Sequence, residues 1–571
     1  MASITAKKIK GHTYYYARVC QRVDGTPRIV WQKYLGTADD IIARSDDSAP
    51  EPKEVVLSEF GAPAALQSLI EKLDVVEIIN RHAGKRDQGV SVGEYLVIAA
   101  VSRALLPLSK RATARWFSGT ILARLYPHIE DNHLTSQRFW DHMDKVPPKA
   151  IAAMEEDITA RLLTEFDIDL GLLVYDTTNF FTWIDTFNER CTLPQRGHSK
   201  AKRGDLRQVS LAMLVSADYH IPLFHKLYEG NVTDRTSLLS ITEELVARYR
   251  ALREHVEDIT IVFDKGNNSH GAMEKVDDSP YHFVGSLVPS HHKDLLSIPR
   301  DEANYQPLEA KGLPVEGWGV HRTQQEVLGA ERTIVITYNE KLYITQLKTI
   351  SRELGKAKGK LDEIQKSLAG ERAGKKRGGK KPTVAGTRKK VETALSAQHM
   401  KKLIEAEVSE EEGLPHLRYR VSQKALSQLS ETTLGKKILF TDNHEWSTEQ
   451  IVAAYHSQAE VEEAFKRMKR PHFTSFSPAF HWTDQKLEVH AFCCVLALSL
   501  TSLLYRQANK AGIDISLESM MSELSGIMEV AILYPATKRG KAAPKPIITI
   551  SSMNKTQKRL FELFGLERYR F

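Results

Sequence analysis

The sequence predicts a multidomain α/β protein, on three observations. A chain of 571 residues holds about three or four domains at roughly 150 residues each, all large enough to bury a core. With 42% hydrophobic and 26% charged residues, 32 Gly and 22 Pro, the composition is that of a globular protein and excludes a collagenous or largely disordered chain. The hydrophobic period also changes along the chain. It is helical from Leu57 to about Phe166, strand-like from Leu170 and helical again from Ser447, as expected of mixed layers.

Taken in order, Gly11 to Gly36 sets two β-branched and aromatic runs around an Asp-Gly turn, so residues 1–44 are expected to form a β-hairpin module. A Ser/Asp/Pro/Glu-rich linker follows at Ser45 to Lys53. Residues 55–166 are expected to form a helical region, a candidate for DNA binding. There SKRATARW (Ser109 to Trp116) and TSQRFW (Thr135 to Trp140) place arginines and aromatics at helix starts; plain amphipathic helices with solvated charges are the competing reading. From Leu170, the runs LGLLVYDTT, QVSLAMLVSA and IPLFHKLYEG read as successive strands. Asp234 to Val256 reads as a helix, DITIVFDKGN (Asp258 to Asn267) as a buried strand, and YHFVGSL (Tyr281 to Leu287) as the last strand. Their order, with a helix between the final two, is that of a ribonuclease-H-like core. Its first part spans 167–290 and its second, with a long helix, spans 444–510. Residues 291–443 are expected to interrupt it as a β-rich insertion with a flexible basic segment. Residues 511–571 are expected to form a C-terminal helical region, a candidate for dimerisation.

The net charge of +7 is unevenly spread: nine Lys/Arg and no acid lie between Arg372 and Lys390, and without that run the balance is −2. Any case for nucleic acid therefore rests on local features. The four cysteines, Cys20, Cys191, Cys493 and Cys494, never stand as Cys-x-x-Cys, which supports neither a disulfide framework nor a zinc ribbon and fits a reducing cytoplasm. The first residues lack the apolar stretch of a secretory signal. The most apolar segment, Val489 to Tyr505, includes His490 and is expected to be a buried core helix rather than a membrane span.

Asp176 and Asp264 end two apolar runs. Carboxylates at the ends of neighbouring strands are rigidly held oxygen donors of the kind Mg²⁺ takes, although each also stands where a turn would begin, Asp264 before Lys265-Gly266-Asn267. The stretch TEQIVAAYHSQAEVEEAFKRMKR places Tyr455, Glu462 and Lys469 seven residues apart. On one helix they would form a single stripe, packed alongside by Val461, Ala464, Phe465 and Met468. A solvated amphipathic helix explains that spacing equally well.

These motifs resemble the insertion-sequence DDE transposases of bacterial or archaeal mobile elements, in the group marked by Tyr, two residues, Arg, three residues, Glu, six residues, Lys. Tyr455, Glu462 and Lys469 stand at the required positions and Gln458 occupies that of the arginine. YDTTNFF around Asp176, RGHSKAKRGDLRQV from Arg196, EGNVTD from Glu229, VFDKGN around Asp264 and HWTD from His481 follow in the family's order. The resemblance implies that Asp176, Asp264 and Glu462 form a catalytic triad holding two Mg²⁺ or Mn²⁺ ions, which cleave a phosphodiester and then join the freed 3′-hydroxyl to target DNA. The arginine's phosphate contact would pass from Gln458 to Lys466 or Arg467.

Other candidates are graded by context. The loop after the first core strand carries Arg196, His198, Lys200, Lys202, Arg203 and Arg207 and is expected to hold phosphates. His198 has no second metal-type residue near it and is not read as a ligand. The Arg372 to Lys390 run adds salt-sensitive DNA affinity or only solubility. Trp482 is expected to pack, with stacking on a flipped base as its alternative. Glu229 and Asp234 are read as turn formers or supporting carboxylates. The expected partners are double-stranded DNA, as element ends and target, and a second copy in a homodimer, with no membrane and no small-molecule cofactor. A metal-dependent nuclease or resolvase that cuts without joining, and a non-catalytic DNA-binding descendant, remain as alternatives.

Overall fold

The computed structural model describes residues 2–23, 26–45, 52–85, 89–185, 187–197, 203–232, 258–264, 270–309, 317–373, 381–470, 474–535 and 545–570. They divide into two compact units, one of Met1–Ala65, Phe117–Pro127 and Glu518–Phe571, the other of Leu66–Trp116 and His128–Leu517.

The first unit opens with an antiparallel sheet of β1 (Ala2–Ile9), β2 (His12–Val23) and β3 (Thr26–Gly36). The expected hairpin is β2–β3, whose Asp24-Gly25 turn lies outside the described residues. Strand β1 is an addition, because ASITAKKI mixes small residues and lysines and carries little strand signal. Lys10 and Gly11, at φ 48° and 86°, join β1 to β2 in the left-handed conformation that two-residue hairpin loops require. Strand β4 (Glu54–Glu59) pairs with Met528–Leu533, which pairs in turn with Ile547–Ile550. Two expectations are corrected here: residues 54–59 form a strand rather than the start of a helix, and residues 511–571 are mixed rather than helical. Strand pairing across so many residues leaves no local periodicity to read.

The second unit is built on a nine-stranded sheet. Its strands are β5 (Leu172–Thr182), β6 (Arg207–Ser216), β7 (Pro222–Glu229), β8 (Thr260–Phe263), β9 (His282–Ser286), β10 (Gln306–Pro307), β11 (Trp318–Val327), β12 (Ala330–Asn339) and, after a hairpin of β13 (Ile404–Glu411) and β14 (Leu414–Val421), β15 (Lys436–Thr441). Across the sheet they run β10-β11-β12-β15-β9-β8-β5-β6-β7. Strands β5, β8 and β9 are parallel neighbours, and β6 and β7 continue antiparallel from β5. The helix expected at Asp234 to Val256 lies outside the described residues.

The insertion differs from expectation. Strands β10, β11, β12 and β15 extend the main sheet rather than forming a module of their own. Most of what remains is helical: a 33-residue helix, Glu340–Arg372, and a second, Val384–Ala394, cover the β13–β14 hairpin. Ile350, Ala357, Leu361 and Leu368 lie on one face of the long helix and are buried there. Its interior Gly355 and Gly359 weaken the helical signal in the sequence.

The apolar segment before Tyr505 belongs to the helix Asp484–Lys510, whose most apolar window is 94% buried inside the protein. Its polar groups find partners there. His490 Nε2 lies 2.7 Å from the Phe476 carbonyl, and Arg506 Nε donates to Asp218 at 3.1 Å. The helix is therefore a core element, as its histidine suggested. In the helical region, Trp116 and Phe139 of the two arginine-aromatic motifs are buried at 8% and 1% exposure. Their rings serve packing and are closed to a DNA partner.

Candidate active site

Strand β5 is buried on both faces through Tyr175 and opens at Asp176. The parallel pairing of β5 with β8 runs Leu172↔Thr260, Leu173↔Ile261, Val174↔Val262. Continuing that register by two residues sets Asp176 beside Asp264 on strands about 4.8 Å apart. Asp264 directly follows the last residue of β8, but Asp176 lies within β5, which continues to Thr182, and so does not end its strand as expected. Side chains alternate, so both aspartates share the face of Val174 and Val262. Those valines pack in one core with Val461, Ala464, Phe465 and Met468. The sheet face that carries the aspartates is thus the face covered by the glutamate helix.

That helix is not continuous with the tyrosine's. Thr448–His456 and Gln458–Lys469 are separate helices meeting at Ser457. Ser457 keeps right-handed backbone angles (φ −62°, ψ −15°), and its Oγ donates to the Ala454 carbonyl at 2.6 Å, a local bond of the type that bends helices. The predicted single stripe is therefore split, with Tyr455 on one helix and Glu462 and Lys469 on the next.

Asp264 is held from two sides. Its Oδ1 accepts from Ser286 Oγ at 3.0 Å and from the Tyr455 hydroxyl at 3.2 Å, and the tyrosine and serine oxygens are 3.0 Å apart. Burial first, then the negative charges of Asp264 and Glu462, pushes the Tyr455 phenol well above its ordinary pKa. Tyr455 thus remains a proton donor to the carboxylate throughout the working pH range. Asp264, Ser286, Tyr455, Gln458 and Glu462 line one cavity of about 530 Å³, together with Lys436 and Lys437. Ser286 and the two lysines were not singled out from the sequence, although Ser286 ends β9 beside Asp264, which directly follows the last residue of β8. Lys469 Nζ donates to Thr178 Oγ1, two residues beyond Asp176 on the same face of β5.

The remaining candidates separate. Gln458 is buried at 8% exposure and faces the cavity, not the surface. Arg467 lies over the Tyr505 ring at 5.9 Å, about 140° around the helix from Glu462 at 3.6 residues per turn, and so does not replace the missing arginine. Lys466 is exposed, 3.5 Å from Glu463, on the same side of the helix as Glu462. Trp482 is 65% exposed, against the expectation that it packs; its neighbour His481 takes the buried position. Arg196 is exposed, Arg203 makes two bonds to Asp205 at 2.8 and 2.7 Å, and Arg207 donates to the Asn188 carbonyl at 3.0 Å. His198, Lys200, Lys202 and Asp234 lie outside the described residues. Asp484, from the HWTD motif, accepts from the Thr192 and Leu193 backbone N–H groups and from Thr192 Oγ1. Although burial raises its carboxyl pKa, these bonds hold it below the usual value, and they anchor the chain leading into the basic loop.

Asp176 and Asp264 offer a divalent cation adjacent hard-oxygen donors, and Glu462 a third from across the cavity. The donor chemistry fits Mg²⁺ or Mn²⁺. Among the described residues no three His, Cys, Asp or Glu side chains stand together at metal-ligating distance, so the expected convergence of all three carboxylates on one point is not seen. Three like charges without a cation between them repel, and Asp264 Oδ1 already accepts two bonds.

The profile of the family described as "Transposase DDE domain" matches residues 181–498, a span that begins just beyond Asp176 and includes Asp264 and Glu462. No curated protein matches the chain. Among solved structures, the cryo-EM structure of a piggyBac transposase synaptic complex with hairpin DNA is similar at a TM-score of 0.37 and 9% identity, covering 83% of this chain and 82% of that one.

Proposed function

The chain belongs to the family of transposase DDE domains, whose profile covers more than half of it, and from this premise we propose that it cleaves DNA at the ends of a mobile element and joins the freed ends to target DNA. The observation that supports the reading is the parallel register of β5 and β8, which carried on by two residues brings Asp176 beside Asp264, under the helix that carries Glu462. The sheet order β7-β6-β5-β8-β9 supports a ribonuclease-H-like core and, with it, the same reading.

Asp176, Asp264 and Glu462 would hold two Mg²⁺ or Mn²⁺ ions, which in such sites activate the attacking water and stabilise the leaving oxygen. Tyr455 and Ser286 fix the orientation of Asp264 through their bonds to Oδ1. Lys469, seated on β5 beside Asp176, and Lys466 are placed to hold a DNA phosphate at the mouth of the site. Trp482 presents an exposed ring on which a base could stack. Supplying DNA ends that already carry a 3′-hydroxyl tests the reading: the protein will join them to a plasmid in Mg²⁺. A product that is cut but never joined would make it a nuclease.

Tyr455 acts through Asp264 and is a positioning residue. Tyr455→Phe will slow cleavage by about tenfold to a hundredfold and raise the Mg²⁺ concentration needed for half-maximal rate, with Tm nearly unchanged. An unchanged Mg²⁺ requirement would reduce the hydroxyl to a packing role.

A further inference from the structure

We propose that the three-stranded sheet β1–β2–β3 docks on duplex DNA through the face that carries Lys7, Tyr14, Tyr16, Arg18 and Tyr34. The proposal rests on the transposase reading for its partner, and it gives to this sheet a contact that the sequence assigned to the helical region.

The first 36 residues hold seven Lys/Arg and a single acid, Asp24, a net +6 out of +7 for the whole chain. The aromatic and strand-forming character of this stretch masks the charge on reading. Such density on so small a sheet is the electrostatic footprint of a polyanion partner. Among the described residues the helix Ala38–Ser45 packs against β2 and β3, and much of the sheet stays open: Tyr34, on the face of Tyr16, is 50% exposed, and Ile4 and Trp31, on the other face, are 68% and 48% exposed. A sheet normally buries one face, so a surface this open calls for a partner.

Strand register sorts the side chains. Lys7 pairs with Tyr14, Thr5 with Tyr16, Ser3 with Arg18, and Tyr16 with Tyr34, which puts the three tyrosines, Lys7 and Arg18 on one face. Ring centroids of Tyr16 and Tyr34 are 5.3 Å apart, and the Arg18 guanidinium lies 5.6 Å from the Tyr16 ring centroid. Stacked in this way, the arginine is held in place on the sheet face. Its Nε is shielded and has no hydrogen-bond partner among the described residues. The opposite face carries Lys8 and Lys33 among Ile4, Tyr15, Val19 and Trp31 and is more apolar. The ~12 Å major groove of B-DNA admits a two-stranded β-ribbon, and β2, which carries Tyr14, Tyr16 and Arg18, forms such a ribbon with a neighbour about 4.8 Å away. Arginine, lysine and tyrosine hydroxyls are groups that contact base edges and phosphates there.

The test uses full-length protein and a labelled, mixed-sequence duplex, with affinity followed by anisotropy between about 0.05 and 0.2 M salt. The double variant Lys7→Gln/Arg18→Gln is compared with Lys8→Gln/Lys33→Gln, which removes the same charge from the other face. The first pair is expected to flatten the slope of log affinity against log salt by about two, at about one per phosphate contact, and the second by much less. Equal losses from both faces would overturn the assignment of the face, and no loss from either would overturn the sheet as a DNA surface. In parallel, plasmid nicking at saturating protein should persist in both pairs, because neither touches the carboxylates. Loss of affinity with nicking retained supports the proposal, whereas wild-type protein that binds no duplex at all would overturn the transposase reading instead.

Discussion

Asp264→Asn will lower DNA cleavage by about three orders of magnitude or more while leaving DNA affinity intact. The change keeps shape and volume, and the amide oxygen still accepts from Ser286 and Tyr455 at the distances seen for Oδ1. What is lost is one negative charge facing the cavity. If the site works by gathering divalent cations on carboxylates, that loss removes transition-state stabilisation that no neighbouring group replaces. Exchanging a charge-assisted bond for a neutral one costs about 1 kcal/mol of stability, which is small beside the catalytic effect. Glu462→Gln sharpens the comparison, since Glu462 is exposed on its helix and its replacement should move stability by less than about 0.5 kcal/mol. Asp176→Asn completes the set, and chelation with EDTA should abolish cleavage by the wild type. The measurement is plasmid nicking in Mg²⁺ beside Tm and duplex affinity. Cleavage within tenfold of wild type in any of the three variants would remove that residue from the site.

The position of Asp264 was legible because it closes an apolar run, and a strand's carboxyl end is a fixed place in a parallel sheet. The continuation of β5 past Asp176 to Thr182 was not, because Thr177 and Thr178 read as the start of a turn. The helix with Glu462 was legible from spacing, but the break at Ser457 was not. Its cause is one hydroxyl bonding its own backbone, and such a serine reads the same as any other mid-helix serine. The burial of Gln458 and the turn of Arg467 toward Tyr505 follow from packing against distant elements, which no local pattern encodes. The insertion was misjudged for a related reason. Strands β11, β12 and β15 look like an independent β module in sequence, and only pairing with β9 joins them to the main sheet. Strand β1 and the charge of the first 36 residues carry a weaker signal than the Arg372 to Lys390 run, because in those 36 residues the lysines and arginines are spread among aromatic and β-branched residues. Residues 374–380 of the later run lie outside the described structure.

Gly230→Ala is expected to lower Tm by about 3 °C, or to prevent folding, for a reason that also explains why two of the motifs contain glycine. A Cβ at Gly230 would stand 1.9 Å from the Gln208 carbonyl oxygen, and one at Gly197 would stand 2.2 Å from the Gly230 carbonyl oxygen. Both collisions are with backbone, so no change of rotamer relieves them, and overpacking of this kind costs about 3 kcal/mol, or about 3 °C in a unit as large as the second. The chain crosses here because hydrogen bonds draw it together. Gln208 Nε2 donates to the Gly230 carbonyl at 2.7 Å, the Gly230 N–H to the Leu193 carbonyl at 3.1 Å, and Gln195 and Gln208 exchange two backbone bonds of 2.9 Å. Leu193 is in turn tied to Asp484 at the start of the core helix. The EGN turn, the start of the basic loop and the HWTD motif therefore form one junction at the described ends of that loop, and loosening it should weaken duplex binding as well as stability. Gly204→Ala is the control, because it lies in the same loop with nothing within 4 Å of its would-be Cβ. A Gly230→Ala protein with wild-type Tm and affinity would show that the crossing is slack and that the glycine serves some end other than close approach.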